Sequence, residues 1–320
     1  MSNTDPAPDA VRLEAQVHQA VDLLEARKAA VGDGTEVRRL LPQRVLRTIG
    51  AWCFLDHYGP DDTSAGAGMQ VPPHPHIGLQ TASWLFDGVV LHRDSLGSEQ
   101  LIRPGELNLM TSGRGIAHSE ESPPDRPATL HGVQLWIALP QEHKDTDPDF
   151  SHYGDLPTIT DGPAVITVVA GEHAGERSPA KVYSRLVGLE VRFTDAGEVS
   201  LPAAEGFEYG VLSADGPAAV ACPAVKTPVP ISPGQLAHLP AGVPEITLRA
   251  PGPSRFFIVG GIPFGEKLIM WWNFVARTAA EIGEAREAWK EHDRRFGEVR
   301  GYQGDPLAAP PLPPGGLKAR

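Results

Sequence analysis

The sequence predicts an all-β chain made of two β-domains in tandem, with one helix before them and one after. Three observations point there. Glycine (34) and proline (32) fill about a fifth of the 320 residues, punctuation that suits short strands joined by turns rather than a helical bundle. Apolar runs of strand length recur between those turns, the one-dimensional pattern of a sandwich or small barrel. Finally, IRPGELNLM (102–110) and ISPGQLAHL (231–239) share one order of apolar, Pro-Gly and apolar residues, as two related domains would.

The elements follow in chain order. Residues 1–9 form a loose tail. From Ala10 to Ala30, Leu13, Val17, Ala20, Val21 and Leu24 recur at helical spacing among charged residues, and Gly32-Asp33-Gly34 ends the pattern, so an amphipathic helix is expected within 1–34. The first β-domain, 35–150, carries AWCFLDHYGP (51–60), TASWLFDGVVLHRD (81–94), ELNLMTSG (106–113) and HGVQLWIALP (131–140). Its Asp87-Gly88 step between apolar runs signals a tight hairpin. The second, 151–275, has its clearest strands between Ala164 and Gly261. In the remainder, 276–320, Ile282, Ala285, Ala288 and Trp289 share one face of a helix expected over Arg277–Phe296. The DPLAAPPLPPGG segment after it is too proline-rich for helix or strand, and is either a flexible tail or a strap across a domain.

Composition excludes several classes of function. Forty acidic residues against 28 basic ones give a formal charge of −12, the wrong sign for direct nucleic-acid binding. No apolar run approaches a membrane span. The N-terminus, MSNTDPAPDA, lacks the basic-then-apolar order of a signal peptide, and Cys53 and Cys222 form no disulfide framework. A cytoplasmic protein is expected.

Histidine carries the chemistry. Of twelve, five (His74, His76, His92, His118 and His131) fall within residues 74–131. His74-Pro75-His76 and His118-Ser119-Glu120 each place two candidate ligands at i and i+2, the same side of an extended strand. Should the two strands face one another, three imidazoles and a carboxylate converge. That donor set, without thiolate, suits one first-row divalent metal, with Fe, Mn, Ni, Cu and Zn all open. Four protein ligands on an octahedral ion leave two positions for small ligands, unlike a closed structural zinc site.

The runs FLDHYGP, PPHPHIGLQTASWLFDG, LHRDSLGSEQLIRPGELNLMTSGRGIAHSEES and LHGVQLWIALP resemble the pirin family of the cupin superfamily across residues 35–140. A weaker likeness continues through AGEHAGERSP (170–179) and MWWNFVART (270–278). The resemblance implies two tandem cupin-type β-barrels, a bicupin, with one metal, usually Fe(II), on His74, His76, His118 and Glu120. It also implies quercetin 2,3-dioxygenase-type activity on a small aromatic, flavonol-like substrate. Alternatively, it implies a redox-responsive regulator that binds a transcription factor or metabolic enzyme. Many pirins continue HPH as HPHRGFET, whereas this chain has Ile77, Gly78, Leu79 and Gln80. Gln80 cannot supply the anionic ligand of the broader cupin pattern, and Glu120 keeps the count. The second β stretch, Ala164 to Gly261, has only His173 and His238, and the second domain is expected to hold no metal.

Two roles are open to Glu120: permanent ligand, or a base that leaves the metal to take a flavonol hydroxyl proton. Gln80 either hydrogen-bonds a bound oxygen species or ties strands together. Trp84 and Met110 line an aromatic pocket or fill core. His92 and His131 orient ligands or find backbone partners.

Overall fold

In the computed structural model, which describes residues 21–32 and 34–319, two antiparallel β-barrels stand side by side. The first is built from β2 (Arg27–Val31), β3 (Thr35–Leu41), β4 (Trp52–Asp62), β5 (Gln70–His76), β6 (Leu79–Asp87), β7 (Val90–Asp94), β8 (Glu99–Ile102), β9 (Leu107–Thr111), β10 (Ile116–Glu121), β11 (Thr129–Ala138) and β12 (Asp149–Tyr153), which follow β1 (Asp22–Leu24). One sheet runs β12-β9-β6-β11-β4-β3-β2 and the facing one β5-β10-β7-β8. The second barrel spans 158–261, again an extended sheet against a four-stranded one.

Alternation along the strands assigns two jobs to the long sheet. Leu55, Ala82, Trp84, Val133 and Leu135, joined by Trp52 through a register slip at Cys53, point outward and meet Leu212, Leu236, Phe257 and Val259 of the second barrel in one buried cluster. Their neighbours Phe54, Asp56, Thr81, Ser83, Gln134 and Trp136 point into the first barrel, as the register pairs Gln134↔Asp56 and Gln134↔Ser83 require. Trp52 is clamped in the interface, its indole N–H donating to the Gly260 carbonyl at 3.2 Å. Burying a side chain of this size stabilises the fold by roughly 2–3 kcal/mol.

The helix expected over Ala10–Ala30 is overturned in its described part; residues 10–20 lie outside the described residues. Residues 22–24 and 27–31 are strands. β1 completes the second barrel, pairing Asp22↔His238 and Leu24↔Leu236, and β2 pairs with β3 of the first. Arg, Lys and Ala favour helix in isolation, but here two sheet edges need partners. Val21, Leu24 and Val31 are buried against the cores those edges enclose, and tertiary pairing prevails over propensity.

At the other end the chain crosses back. Residues 269–276 form a hairpin that bridges Ile77 of the first barrel through Phe274. The C-terminal helix, α1 (Ala279–Lys290), starts at a capping box between Thr278 and Glu281 and buries Ile282 and Ala285, with Ala288 and Trp289 partly covered on the same face. It stops at Lys290, short of Phe296, where His292 takes left-handed backbone just past the C-cap. The proline-rich segment is a strap. The Leu307 N–H meets the Pro73 carbonyl at 2.9 Å, the Trp289 indole donates to the Leu307 carbonyl at 2.8 Å, and Leu307, Ala309, Leu317 and Ala319 pack on the cluster around Phe274. Both cysteines are free, and burial pushes the Cys53 thiol up to about 12. Among the described residues no helix is long and apolar enough to cross a membrane.

Candidate metal centre

Strand β5 reads QVPPHPH and β10 reads IAHSEE; they pair directly, His76 opposite Ile116 and His74 opposite His118. The register slips by one residue between His118 and Glu120, where Pro72 and Pro73 leave the ladder. Prolines lack the N–H that a regular pair requires, so a bulge forms here and the strand bends. The i, i+2 spacing then turns His74, His76 and His118 inward together, with ring centroids 4.4 Å (His74–His118), 4.9 Å (His74–His76) and 5.0 Å (His76–His118) apart.

Hydrogen bonds fix which nitrogen of each ring is free. His74 donates Nδ1–H to the Pro72 carbonyl at 2.9 Å, and His76 donates its own to the Asn273 carbonyl, also at 2.9 Å. A neutral imidazole carries one hydrogen, so each Nε2 presents a lone pair. The Nε2 atoms of His76 and His118 approach to 3.1 Å, and His74 Nε2 is buried with no hydrogen-bond partner. Burial pushes all three rings well below the usual histidine range, so they stay neutral and available as donors. An orphaned buried nitrogen beside two converging lone pairs is what a divalent metal would satisfy, and the residues fit one.

Glu120 sits to one side. Its carboxylate groups with His92 and His118 rather than with the triad of His74, His76 and His118. Ser83 Oγ lies 3.0 Å from Glu120 Oε1 and 2.8 Å from the Gln134 side-chain oxygen, while Gln134 Nε2 has no partner. A serine has one hydrogen to give. Ser83 Oγ therefore bridges two acceptors, the Gln134 amide oxygen and the Glu120 carboxylate, and donates to one at a time. Burial and the Glu120 charge together hold the Tyr58 hydroxyl well above the usual tyrosine range.

Of the other residues singled out from the sequence, His92 adjoins the site and the rest are dispersed. His92 stands between His118 and Asp94 and stacks on Phe150, centroids 4.4 Å apart. Asp94 is held below the usual carboxylate range, since hydrogen bonds from His92 and Ser98 outweigh the burial that would raise it. His131 pairs with His57 instead, Nε2 to Nε2 at 2.8 Å. Gln80 donates to Thr111 at 2.9 Å and to the Lys181 carbonyl at 3.0 Å, tying the second barrel to the first. Trp84 belongs to the cluster between the barrels. Met110 lies in register with Thr81 and Phe150, on the sheet face that carries Ser83.

Asn273, Asp94, Ser83 and Gln134 were not expected as functional groups. Only Asp94 had a sequence signal, the same i, i+2 spacing to His92 that joins His74 to His76. The His76–Asn273 contact spans 197 residues, beyond any local pattern.

Comparison with known proteins places the molecule. The Pirin family model matches residues 34–137, and the model of the Pirin C-terminal cupin domain matches 188–297. A Pseudomonas aeruginosa protein named "Putative quercetin 2,3-dioxygenase PA1205" is 46% identical over 288 residues, covering 90% of this chain and 89% of that protein. A pirin-like protein of Caulobacter vibrioides is 35% identical over 283 residues, covering 84% and 93%. Among solved structures, quercetin 2,3-dioxygenase from Acinetobacter baumannii superposes with a TM-score of 0.88 at 43% identity, covering 93% of this chain and 97% of its own. Matched in both β-domains and aligned along 90% of its length with a 46% identical relative, the chain belongs to the pirin family.

Proposed function

We propose that the chain is a metal-dependent oxygenase of the quercetin 2,3-dioxygenase type, acting on a flavonol-like substrate with Fe(II) as its metal. One observation carries the reading: three buried, neutral imidazoles turn bare Nε2 atoms toward a common point. His74, His76 and His118 would hold the metal, and Glu120 is the carboxylate beside it. The names of the 46% identical relative and the 43% identical structure support the reaction class.

A bound divalent metal supplies Lewis acidity toward adjacent substrate oxygens. The protein supplies the rest. Ser83 lies against Oε1 of Glu120 at 3.0 Å and steadies the carboxylate that would receive the flavonol hydroxyl proton. Trp136 stands edge-on to His76 at 5.2 Å and, with Phe54 stacked on it at 4.1 Å, walls the site against water. Anaerobic loading with Fe(II), followed by oxygen uptake on quercetin, tests the reading. Consumption that depends on both iron and flavonol is expected, and iron-loaded protein that consumes no oxygen with a range of flavonols removes it.

A second reading rests on burial. The four side chains are at most 2% exposed, and main-chain bonds join their strands to the C-terminal segment through Phe296 and Leu307. A sealed metal fastened to a surface strap suits a regulator whose outer face reports metal occupancy. Amide exchange over residues 291–319 that is unchanged by iron would remove it.

A further inference from the structure

The three histidines are not held alike. His74 and His76 give their Nδ1–H to uncharged main-chain carbonyls. His118 Nδ1 instead faces His92 Nδ1 at 3.4 Å, and His92 Nε2 lies 3.2 Å from Asp94 Oδ2. The other carboxylate oxygen, Oδ1, takes the N–H groups of Leu96 (2.9 Å) and Ser98 (3.0 Å), so the carboxylate is anchored to its own turn. His92 and Asp94 are buried, at 3% and 2% exposure, and the His92 ring lies nearly parallel to Phe150, 14° from coplanar.

We infer that His92 and Asp94 are positioning residues for the metal, forming a directed chain that locks His118 in its Nδ1–H tautomer and backs it with a carboxylate charge. The direction follows from counting hydrogens. A ligating His118 gives its Nε2 lone pair to the metal, so its one hydrogen sits on Nδ1. His92 Nδ1 accepts it at 3.4 Å, while the carboxylate, which only accepts, takes the hydrogen on His92 Nε2. The hydrogen between the two histidines then belongs to His118, whose Nε2 lone pair is left facing His74 and His76. Register supports the design: His118 pairs with Asp94 and Glu120 with His92 across β10 and β7, so all four side chains share one sheet face. A carboxylate behind a ligating imidazole strengthens it as a donor and favours the more oxidised metal.

The inference rests on His118 being a ligand, and the test keeps the two apart. Full-length wild type and the variants His92→Leu, His92→Asn and Asp94→Asn are titrated with Mn(II), their iron midpoint potentials are measured, and metal-free melting is followed. His92→Leu should lose roughly 10- to 100-fold in Mn(II) affinity. His92→Asn puts an amide oxygen where Nδ1 stood, accepts the His118 hydrogen, and should recover most of that loss. Asp94→Asn keeps an acceptor for Leu96 and Ser98 but offers –NH2 to His92, which drives the His92 hydrogen toward His118; affinity should fall as in His92→Leu. Both Asn variants should raise the iron potential, an effect that lost packing alone does not produce. Wild-type affinity and potential in Asp94→Asn overturn the chain. So does His92→Asn binding as weakly as His92→Leu at wild-type potential. Wild type that takes up neither Mn(II) nor Fe(II) overturns the metal reading itself.

Discussion

Leu307 donates its main-chain N–H to the Pro73 carbonyl across 2.9 Å, one residue from His74. The last segment of the chain is therefore bonded to the strand that carries two of the proposed ligands. Deleting residues 298–320 removes that donor and the acceptor of the Trp289 indole. The expected outcome is a folded protein whose metal affinity falls roughly 2- to 10-fold, the equivalent of one net hydrogen bond. Chelator competition measures it. Unchanged affinity would mean that the strap covers β5 without steadying it.

Glu120 is held by Ser83 outside the three-histidine group. Glu120→Gln should accordingly keep its metal while turnover drops by roughly 10²- to 10⁴-fold, the usual worth of a general base. Ser83→Ala should lower turnover less, because the carboxylate remains but wanders. Metal analysis alongside oxygen uptake separates the roles: loss of metal from Glu120→Gln marks the side chain as a permanent ligand.

Gly78 turns the chain from β5 into β6 with φ +70°, and a Cβ there would lie 2.1 Å from the Val275 carbonyl oxygen. Val275 belongs to the hairpin whose Asn273 carbonyl orients His76. Gly78→Ala must strain the left-handed backbone and push that hairpin away. A loss of about 1–3 kcal/mol in stability is expected, together with weaker metal binding; denaturant titration and chelator competition read the two effects. A variant that loses stability at full affinity would show that the hairpin does not set the His76 ring.

Burial and the nearby Arg255 charge push His131 down to about 4. Arg38 donates to His57 Nδ1 at 3.2 Å, so His57 Nε2–H donates to His131 Nε2, and protonating His131 would set N–H against N–H. The unfolded histidine titrates near 6.5, so between that value and 4 the unfolded chain binds more protons. Stability is complete above pH 6.5 and drains away as pH falls toward 4, by on the order of 3 kcal/mol from this residue. His131→Gln, which keeps an acceptor but cannot titrate, should flatten the pH dependence of urea unfolding in the metal-free protein. Equal slopes in the two proteins would exclude His131 as the source.

Legibility followed the range of the interaction. The tandem β-domains and the inward-facing pairs on β5 and β10 were readable because strand alternation is local and repeats every two residues. Glu120 shows the limit: its side of the strand was readable, but its distance from the triad depends on a bulge at Pro72-Pro73 and on Ser83, four strands away in sequence. The N-terminal segment was misread because Val21 and Leu24 suit a helix face and a strand edge alike, and only the open edge of the second barrel decides. Nothing local announces Asn273 or the crossing of both chain ends between barrels, since the partners lie far apart in sequence.

Inside the first barrel Arg39 and Asp56 form a fully buried two-bond ion pair, both contacts at 2.8 Å. The guanidinium also sits 4.5 Å from the centre of the Phe54 ring, and Phe54 stacks on Trp136, the neighbour of His76. Breaking such a pair leaves one uncompensated charge in the core, so Asp56→Asn should cost about 3–5 kcal/mol. Replacing both partners removes that charge; Arg39→Met with Asp56→Leu should unfold much closer to wild type than Asp56→Asn does. The pair also tests how stiffly the aromatic stack supports the site. If the guanidinium holds Phe54 and, through Trp136, the His76 ring, the double variant should bind Mn(II) more weakly at near-normal stability. Affinity that tracks stability in both variants would confine the pair's role to the fold.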